Sequence, residues 1–408
     1  MNNISNTRYF DKTTPPHITT LVLLSGLSAL SMNVFLPSLP NMTDYFQTDY
    51  ALMQLSISLY LALTGLLQLL IGPLSDRYGR RPVILTGIAV FLFASIGCLL
   101  ATSVEMFLFF RMIQAGIAIG MVLSRAIVRD IVPANQAASM IGYVTMGMSL
   151  VPMLAPALGG YLDDMFGWQA NFAILLLMGV GVAVILWFDL GETNRYKSTS
   201  FTQQMREYPE LVRSRRFWGY CLSAAFASGS FFAFLGGAPF VGTYVFGLSA
   251  AELGLYFGFV SIGYLIGNYL SGRYSARVGI TKMLYFGTLI MLFGVLASAL
   301  VQAFGISHPF SFFGFMLFVG IGNGMVLPNS NAGLVSVRPK LAGSASGLGG
   351  AIQLGGGAAL AALSGAILDQ ETGAFPLLFL MIATSVLTLL TIFYIMWVDR
   401  ISGPLDEV

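Results

Sequence analysis

Charge is what this chain has least of. Only 9% of its 408 residues are Asp, Glu, Lys or Arg, where soluble domains carry roughly 25%. A water-soluble fold of this size could not clothe its surface with so few charges. Cysteine and histidine are nearly absent too, with two of each. Cys98 and Cys221 both fall inside apolar runs, so they read as small packing residues rather than a disulfide framework. His17 and His308 lie far apart, near opposite faces of the expected membrane, which leaves no cluster for a metal. The His-Glu-x-x-His and Gly-x-x-x-x-Gly-Lys-Ser/Thr patterns are both missing. No enzyme, cofactor, metal or nucleic acid is therefore expected, and any work the chain does must draw on an ion or solute gradient.

What is abundant is apolar length. Hydrophobic residues make up 56% of the chain, and its 46 glycines suit helices that pack closely in lipid. Six apolar runs lie at about 17–40, 51–74, 82–101, 105–127, 137–162 and 168–189. Six more follow at about 217–245, 250–271, 281–302, 308–335, 342–368 and 373–398. Each can cross a hydrocarbon layer of about 30 Å at about 1.5 Å per residue. The expected fold is an all-α polytopic membrane protein with twelve transmembrane helices in two pseudo-symmetric six-helix bundles. Its divisions are a polar tail 1–16, a first bundle 17–190, a linker 191–216, a second bundle 217–398 and a tail 399–408. The first run outlasts the length of a cleavable leader, so none is expected. Within the linker, Phe201–Arg216 reads as a short interfacial helix broken near Pro209.

The turns after even-numbered runs, with the termini, hold nearly every Lys and Arg, whereas those after odd-numbered runs hold acids such as Asp44, Asp49, Asp163 and Asp369. That bias places both termini in the cytoplasm, which an even helix count requires independently. The halves also echo each other. Leu74-Ser-Asp-Arg-Tyr78 pairs with Leu270-Ser-Gly-Arg-Tyr274, putting Gly272 where Asp76 stands.

The stretch Gly72-Pro-Leu-Ser-Asp-Arg-Tyr-Gly-Arg-Arg-Pro82 packs Asp76, Arg77, Arg80 and Arg81 between two membrane-length runs, with Gly72, Pro73, Gly79 and Pro82 expected to make it a tight turn. It resembles the signature loop between helices 2 and 3 of the major facilitator superfamily. Phe110-Arg-Met-Ile-Gln-Ala-Gly116 resembles the helix 4 pattern of that superfamily's drug/proton antiporters. There the arginine lies in the cavity and helps couple protons, a role the resemblance implies for Arg111, with Gln114 on the same face. Val151-Pro-Met-Leu-Ala-Pro-Ala-Leu-Gly-Gly160 resembles the antiporter motif of helix 5. Pro156, Gly159 and Gly160 match it, Val151 and Ala155 replace glycines, and Pro152 and Pro156 should kink the helix.

Ser31-Met-Asn-Val-Phe-Leu-Pro-Ser-Leu-Pro40, with Leu55–Gly65 and Gln68, resembles the bicyclomycin and chloramphenicol resistance branch of these twelve-helix antiporters. That branch carries Asp where this chain has Asn33, an amide that cannot titrate. Coupling then runs through Asp130 or Asp76, or is lost, or Asn33 is an engineered stand-in for a protonated acid. The resemblance implies a secondary transporter in the cell inner membrane that exports small, fairly apolar compounds by proton antiport with alternating access, as a monomer. The alternative is a facilitator or importer of a small neutral or anionic metabolite without proton coupling. A receptor or scaffold would need neither the repeated halves nor an intramembrane arginine.

Candidate substrate-binding residues are Asn33, Tyr60, Thr64, Gln68, Arg111, Gln114, Phe231, Phe234, Asn323 and Gln353, all at plausible cavity depth. The expected latch joins Asp76, Arg77, Arg80 and Arg81 to Asp130, with Asp76 facing the N-terminus of the eleventh helix near Gly343 and Ser344. Asn33 and Arg111 are the proton-coupling candidates. The resemblance assigns Arg111 to the cavity, and an unpaired charge at its depth costs about 2.5–3.5 kcal/mol or more.

Overall fold

A computed structural model describes residues 8–132, 134–194, 208–338 and 341–402. The segment 195–207, with much of the expected interfacial helix, lies outside the described residues; 208–212 are helical through Pro209. The N-terminal half is built from α1 (Ile18–Phe46), α2 (Tyr50–Tyr78), α3 (Arg80–Leu99), α4 (Val104–Ile131), α5 (Ala134–Phe166) and α6 (Gln169–Asp189). The C-terminal half comprises α7 (Arg215–Val245), α8 (Ala250–Val278), α9 (Ile280–Ala303), α10 (Pro309–Ser336), α11 (Gly343–Ile367) and α12 (Phe375–Ile401). Eleven of these are long and apolar enough to cross a membrane by length and composition, and α5 has 33 residues. There is no strand among the described residues. The end carrying the chain termini is called here the basic end, and the opposite one the acidic end.

Three expectations shift. The first helix, expected to stop at Pro40, runs on to Phe46 through a 3-10 turn at Leu36–Ser38. Pro37 and Pro40 each sit in the first turn of a helical segment, where no N–H donor is needed. The charged stretch 72–82 is not a loop. α2 continues through Gly72 and Pro73 to Tyr78, and the turn is Gly79 alone, at φ +103°. Its counterpart between α8 and α9 is Gly279, at φ +92°. Counting back from these two glycines aligns Asp76 with Ala276 and Arg80 with Ile280. The sequence pairing with residues 270–274 is therefore about one helical turn out of register, a slip that keeps the same helix face. The C-terminal turn lacks both the acid and the arginine.

The tail also has structure from Arg8 onward. Asp189, buried at the end of α6, accepts hydrogen bonds from the Phe10 N–H (3.1 Å), the His17 N–H (2.9 Å) and the Thr20 hydroxyl (2.6 Å). The carboxylate thus ties the tail and the start of α1 to the end of α6.

The halves meet along two seams that are tight at the acidic end. In the first, the carbonyls of Pro156 and Ala250 stand where β-carbons on Gly254 and Gly160 would be, and the Ser261 hydroxyl reaches the Pro152 carbonyl at 3.2 Å. In the second, α2 packs on α11, with Gly65 against Ala351 and Leu354 and Gln68 beside Gly350. Towards the basic end, Gly72 on α2 and Gly343 and Gly347 on α11 have open space beside them.

Candidate functional site

Arg111 is only 1% exposed and lies within the N-terminal half. Burying a guanidinium in a membrane-spanning bundle is tolerable only if its donors and its charge are answered. α1 and α2 answer both. Nη2 donates to the Ser31 carbonyl (2.9 Å), Nε to the Ser56 carbonyl (3.3 Å), and Nη1 to the Ser31 hydroxyl (3.2 Å) and to Gln114 Oε1. Gln114 sits one turn on from Arg111 in α4 and is oriented in turn by Nε2 donating to Ser95 on α3 at 2.8 Å. The guanidinium is stacked between two rings, Phe35 at 4.3 Å and Tyr60 at 4.0 Å from its central carbon. Cation–π contacts reach about 2 kcal/mol or more when desolvated. Among the described residues no carboxylate pairs with Arg111. Its charge is held by dipoles and π faces alone, which leaves it able to attract an anion or a polar oxygen.

Of the other expected site residues, Tyr60 joins this cluster and hydrogen-bonds to Ser31 at 3.4 Å. Thr64, one turn further along α2, has a buried hydroxyl with no partner among the described residues. Gln68 lies on the seam with α11. Asn33 does not face Arg111: Ser31 and Phe35 share the arginine's side of α1, and the residue midway between them points to the opposite face. Its amide donates instead to the Ala29 carbonyl at 2.7 Å. Phe231 is half-buried on α7 beside Phe232, and Gln353 is half-buried on α11. Phe234 lies fully buried in the core of the C-terminal half, against Phe257, Phe312 and Phe313. Asn323 is equally internal, donating to Met291 Sδ (3.4 Å) and the Val319 carbonyl (3.2 Å).

At the basic end, Arg80 bridges Asp76 (2.6 Å) on α2 and Asp130 (3.0 Å) on α4. Arg81 lies over the Trp187 ring and donates to the Trp187 carbonyl at 3.1 Å, whereas Arg77 lies over the ring of Tyr78 next to it. Asp76 thus pairs with Arg80 across the Gly79 turn, from the end of α2 to the start of α3. The start of the linker closes over the turn. Glu192 accepts the backbone N–H groups of Arg80 (2.9 Å) and Arg81 (3.3 Å), Thr193 donates to Asp130 (3.2 Å), and Asn194 donates to the Asp76 carbonyl (3.0 Å).

The acidic end is locked by residues that sequence reasoning missed. The Tyr50 hydroxyl donates to the Gly236 carbonyl at 2.7 Å. Gln54, 1% exposed, enters a notch between α7 and α11 that exists because Gly236 and Gly365 have no side chains. Its amide donates to the Ala361 carbonyl and, at 3.0 Å, to the Ser364 hydroxyl. Asp164 accepts the Ala251 N–H at 3.2 Å, and Tyr244 meets Asp44 at 3.4 Å. The one available signal was a glutamine at the start of an apolar helix. Gly159 and Gly160, both expected from the helix 5 motif, face different neighbours: the Val34 carbonyl in the same half and the Ala250 carbonyl in the other.

The profile of the Major Facilitator Superfamily matches residues 21–362. The chain is 33% identical over 308 residues to a chloramphenicol resistance protein of Pseudomonas aeruginosa, covering 74% of this chain and 73% of that one. It is 27% identical over 389 residues to a bicyclomycin resistance protein homolog of Haemophilus influenzae, covering 94% and 97%. Its fold matches a bacterial homolog of the human lysosomal transporter Spinster, solved in an inward-facing and unoccupied conformation. That match has a TM-score of 0.72 and 19% identity, over 94% of this chain and 96% of that one.

Proposed function

Since the chain belongs to the Major Facilitator Superfamily, and is thus a transporter rather than an enzyme, we propose that it exports small, fairly apolar drugs out of the cell by alternating access, driven by inward proton flow. In this reading the basic end faces the cytoplasm, both termini lie there, the chain works as a monomer in the inner membrane, and the structure is the inward-facing state. The bundles 17–190 and 217–398 rock about the two seams. Arg111 carries the reading: it is a fully buried cation with no carboxylate partner among the described residues, and an ionisable group placed inside a membrane-spanning bundle marks a functional site by default. It supports a polar anchor for substrate, or a charge whose field responds to a proton elsewhere. The printed names of the chloramphenicol and bicyclomycin resistance relatives support the substrate class.

The test is accumulation of radiolabelled chloramphenicol in cells with and without the chain. Lower accumulation in expressing cells, abolished by a protonophore, is expected. Equal accumulation sinks drug export. A difference that ignores the protonophore favours the second reading, an uncoupled facilitator, which the amide at Asn33 makes attractive.

A further inference from the structure

Away from the transport path, an open groove of about 380 Å³ runs between α7 and α12 on the outer surface of the C-terminal half. Arg213 and Arg215 stand at its mouth, and Trp218, Phe226, Leu390 and Tyr394 line its length. Both arginines are exposed, and neither has an acidic partner among the described residues. The nearby acids are engaged elsewhere, Asp399 by Arg216 at 3.2 Å and Glu210 by Arg338 at 3.1 Å. α7 begins at Arg215, so the positive end of its dipole adds to the same spot. Trp218 is held as a wall by its Nε1 donating to the Val212 carbonyl at 2.7 Å. With Tyr394 and Trp397 it forms the aromatic belt that marks a headgroup level.

The dimensions fit a lipid. Along α7, Arg215 to Phe226 spans roughly 16 Å at about 1.5 Å per residue. One leaflet of a hydrocarbon core about 30 Å thick is roughly 15 Å deep. We propose that this groove binds an anionic phospholipid, its phosphate held by Arg213 and Arg215 and one acyl chain laid along the Trp218–Phe226 wall. A zwitterionic headgroup would bring an ammonium to a place where the acid within reach is already paired. The inference relies on the proposed orientation only for which leaflet is involved, and the experiment below is independent of that orientation and of drug export.

Purified protein in detergent is titrated with phosphatidylglycerol or phosphatidylcholine, and bound lipid is read by native mass spectrometry. Phosphatidylglycerol should bind in preference. Each basic residue near a membrane surface carries roughly a fivefold share of anionic-lipid affinity, so the R213A/R215A pair should weaken binding on the order of 30-fold. R213Q/R215Q, which keeps polar stems, should do the same if the alanine pair folds poorly. R273A/R277A removes two exposed arginines at the same end but outside the groove, and should leave binding unchanged. An equal loss in that control, equal retention of phosphatidylcholine, or equal binding of soluble glycerol 1-phosphate would overturn the proposal.

Discussion

Replacing Gly160 with alanine is expected to tip the protein toward the state open at the acidic end without unfolding either half. A β-carbon on Gly160 would meet the Ala250 carbonyl oxygen, with the carbonyl carbon at 2.7 Å and the Ala251 Cα at 3.0 Å. All three are backbone atoms of the facing helix, so no side chain can step aside and the seam itself must part. Overpacking of this kind costs about 1–3 kcal/mol. Because α5 and α8 touch here across the two halves, the cost falls on the acidic-end-closed state alone, a population shift of about 5- to 150-fold. Gly159, one residue earlier, presses on the Val34 carbonyl inside its own half. Gly159→Ala should therefore lower the melting temperature with little change in the balance of states. Gly258 on α8 has open space around it, so Gly258→Ala is the neutral control.

The assay is the distance distribution between spin labels at Thr102→Cys and Gln370→Cys, exposed positions on the acidic-end loops of the two halves. Cys98 and Cys221 are buried and should not compete for label. Gly160→Ala should enlarge the long-distance population. Distributions identical to those of Gly258→Ala would refute the seam argument.

Three further outcomes follow from the site. Arg111→Ala should cut drug efflux by at least about tenfold, roughly 1.4 kcal/mol, with normal membrane insertion. Lysine should rescue only in part because it lacks the planar fork, and wild-type efflux by the alanine variant would remove Arg111 from the mechanism. Asp76→Asn leaves the Arg80–Asp130 pair intact, so thermal stability should change by about 1 kcal/mol or less; because the cluster is formed within one half in the state read as open at the basic end, basic-end cysteine labelling should stay unchanged, and a rise would restore the latch expected from the sequence. With no described carboxylate answering Arg111, binding of neutral drugs should exceed that of lipophilic cations and stay flat between about pH 6 and 8, and Asn33→Asp, at a position that faces away from Arg111, should leave that preference unchanged. A steep dependence already present in the unmodified chain would turn attention to Asp130.

The membrane class, the helix count and the charged Asp76–Arg80–Asp130 neighbourhood were legible because each rests on a local signal: apolar run length, basic-residue placement, or a short motif at a turn. What was not legible depends on register between helices. Nothing in the local pattern near Gln54 distinguishes a helix-start glutamine from a gate residue, since its notch is made by two glycines more than a hundred residues away in α7 and α11. The resemblance singles out Asn33 and Arg111 together as coupling candidates, but which way Asn33 faces follows from the rotation of α1, which no motif reports. The repeat was misaligned for a related reason, since a four-residue slip preserves helical face and only the left-handed glycine fixes the register. Phe234 and Asn323 lie at a depth that suits a cavity, but helix packing turns them into the core of their own half.

The packing also offers a physical route from Arg111 to the seam. The guanidinium holds Ser31 and Phe35 on one side of α1, while the Val34 carbonyl on the same short stretch bears against Gly159 of α5. The next residue, Gly160, is the contact with α8. A change in how Arg111 is paired would shift α1 at the point where it turns into the 3-10 segment Leu36–Ser38, and α5 could not ignore it, because backbone rather than flexible side chain fills both glycine contacts. Contiguity alone is not coupling. If both sites bias the same two-state element, Arg111→Lys and Gly160→Ala should be non-additive in the spin-label populations, with an interaction energy of about 0.5–3 kcal/mol. The same cycle with Gly258→Ala should be additive. Additivity in both cycles would mean that Arg111 acts on substrate alone and that the seam is governed from elsewhere, with the Gln54 notch the next contact to test.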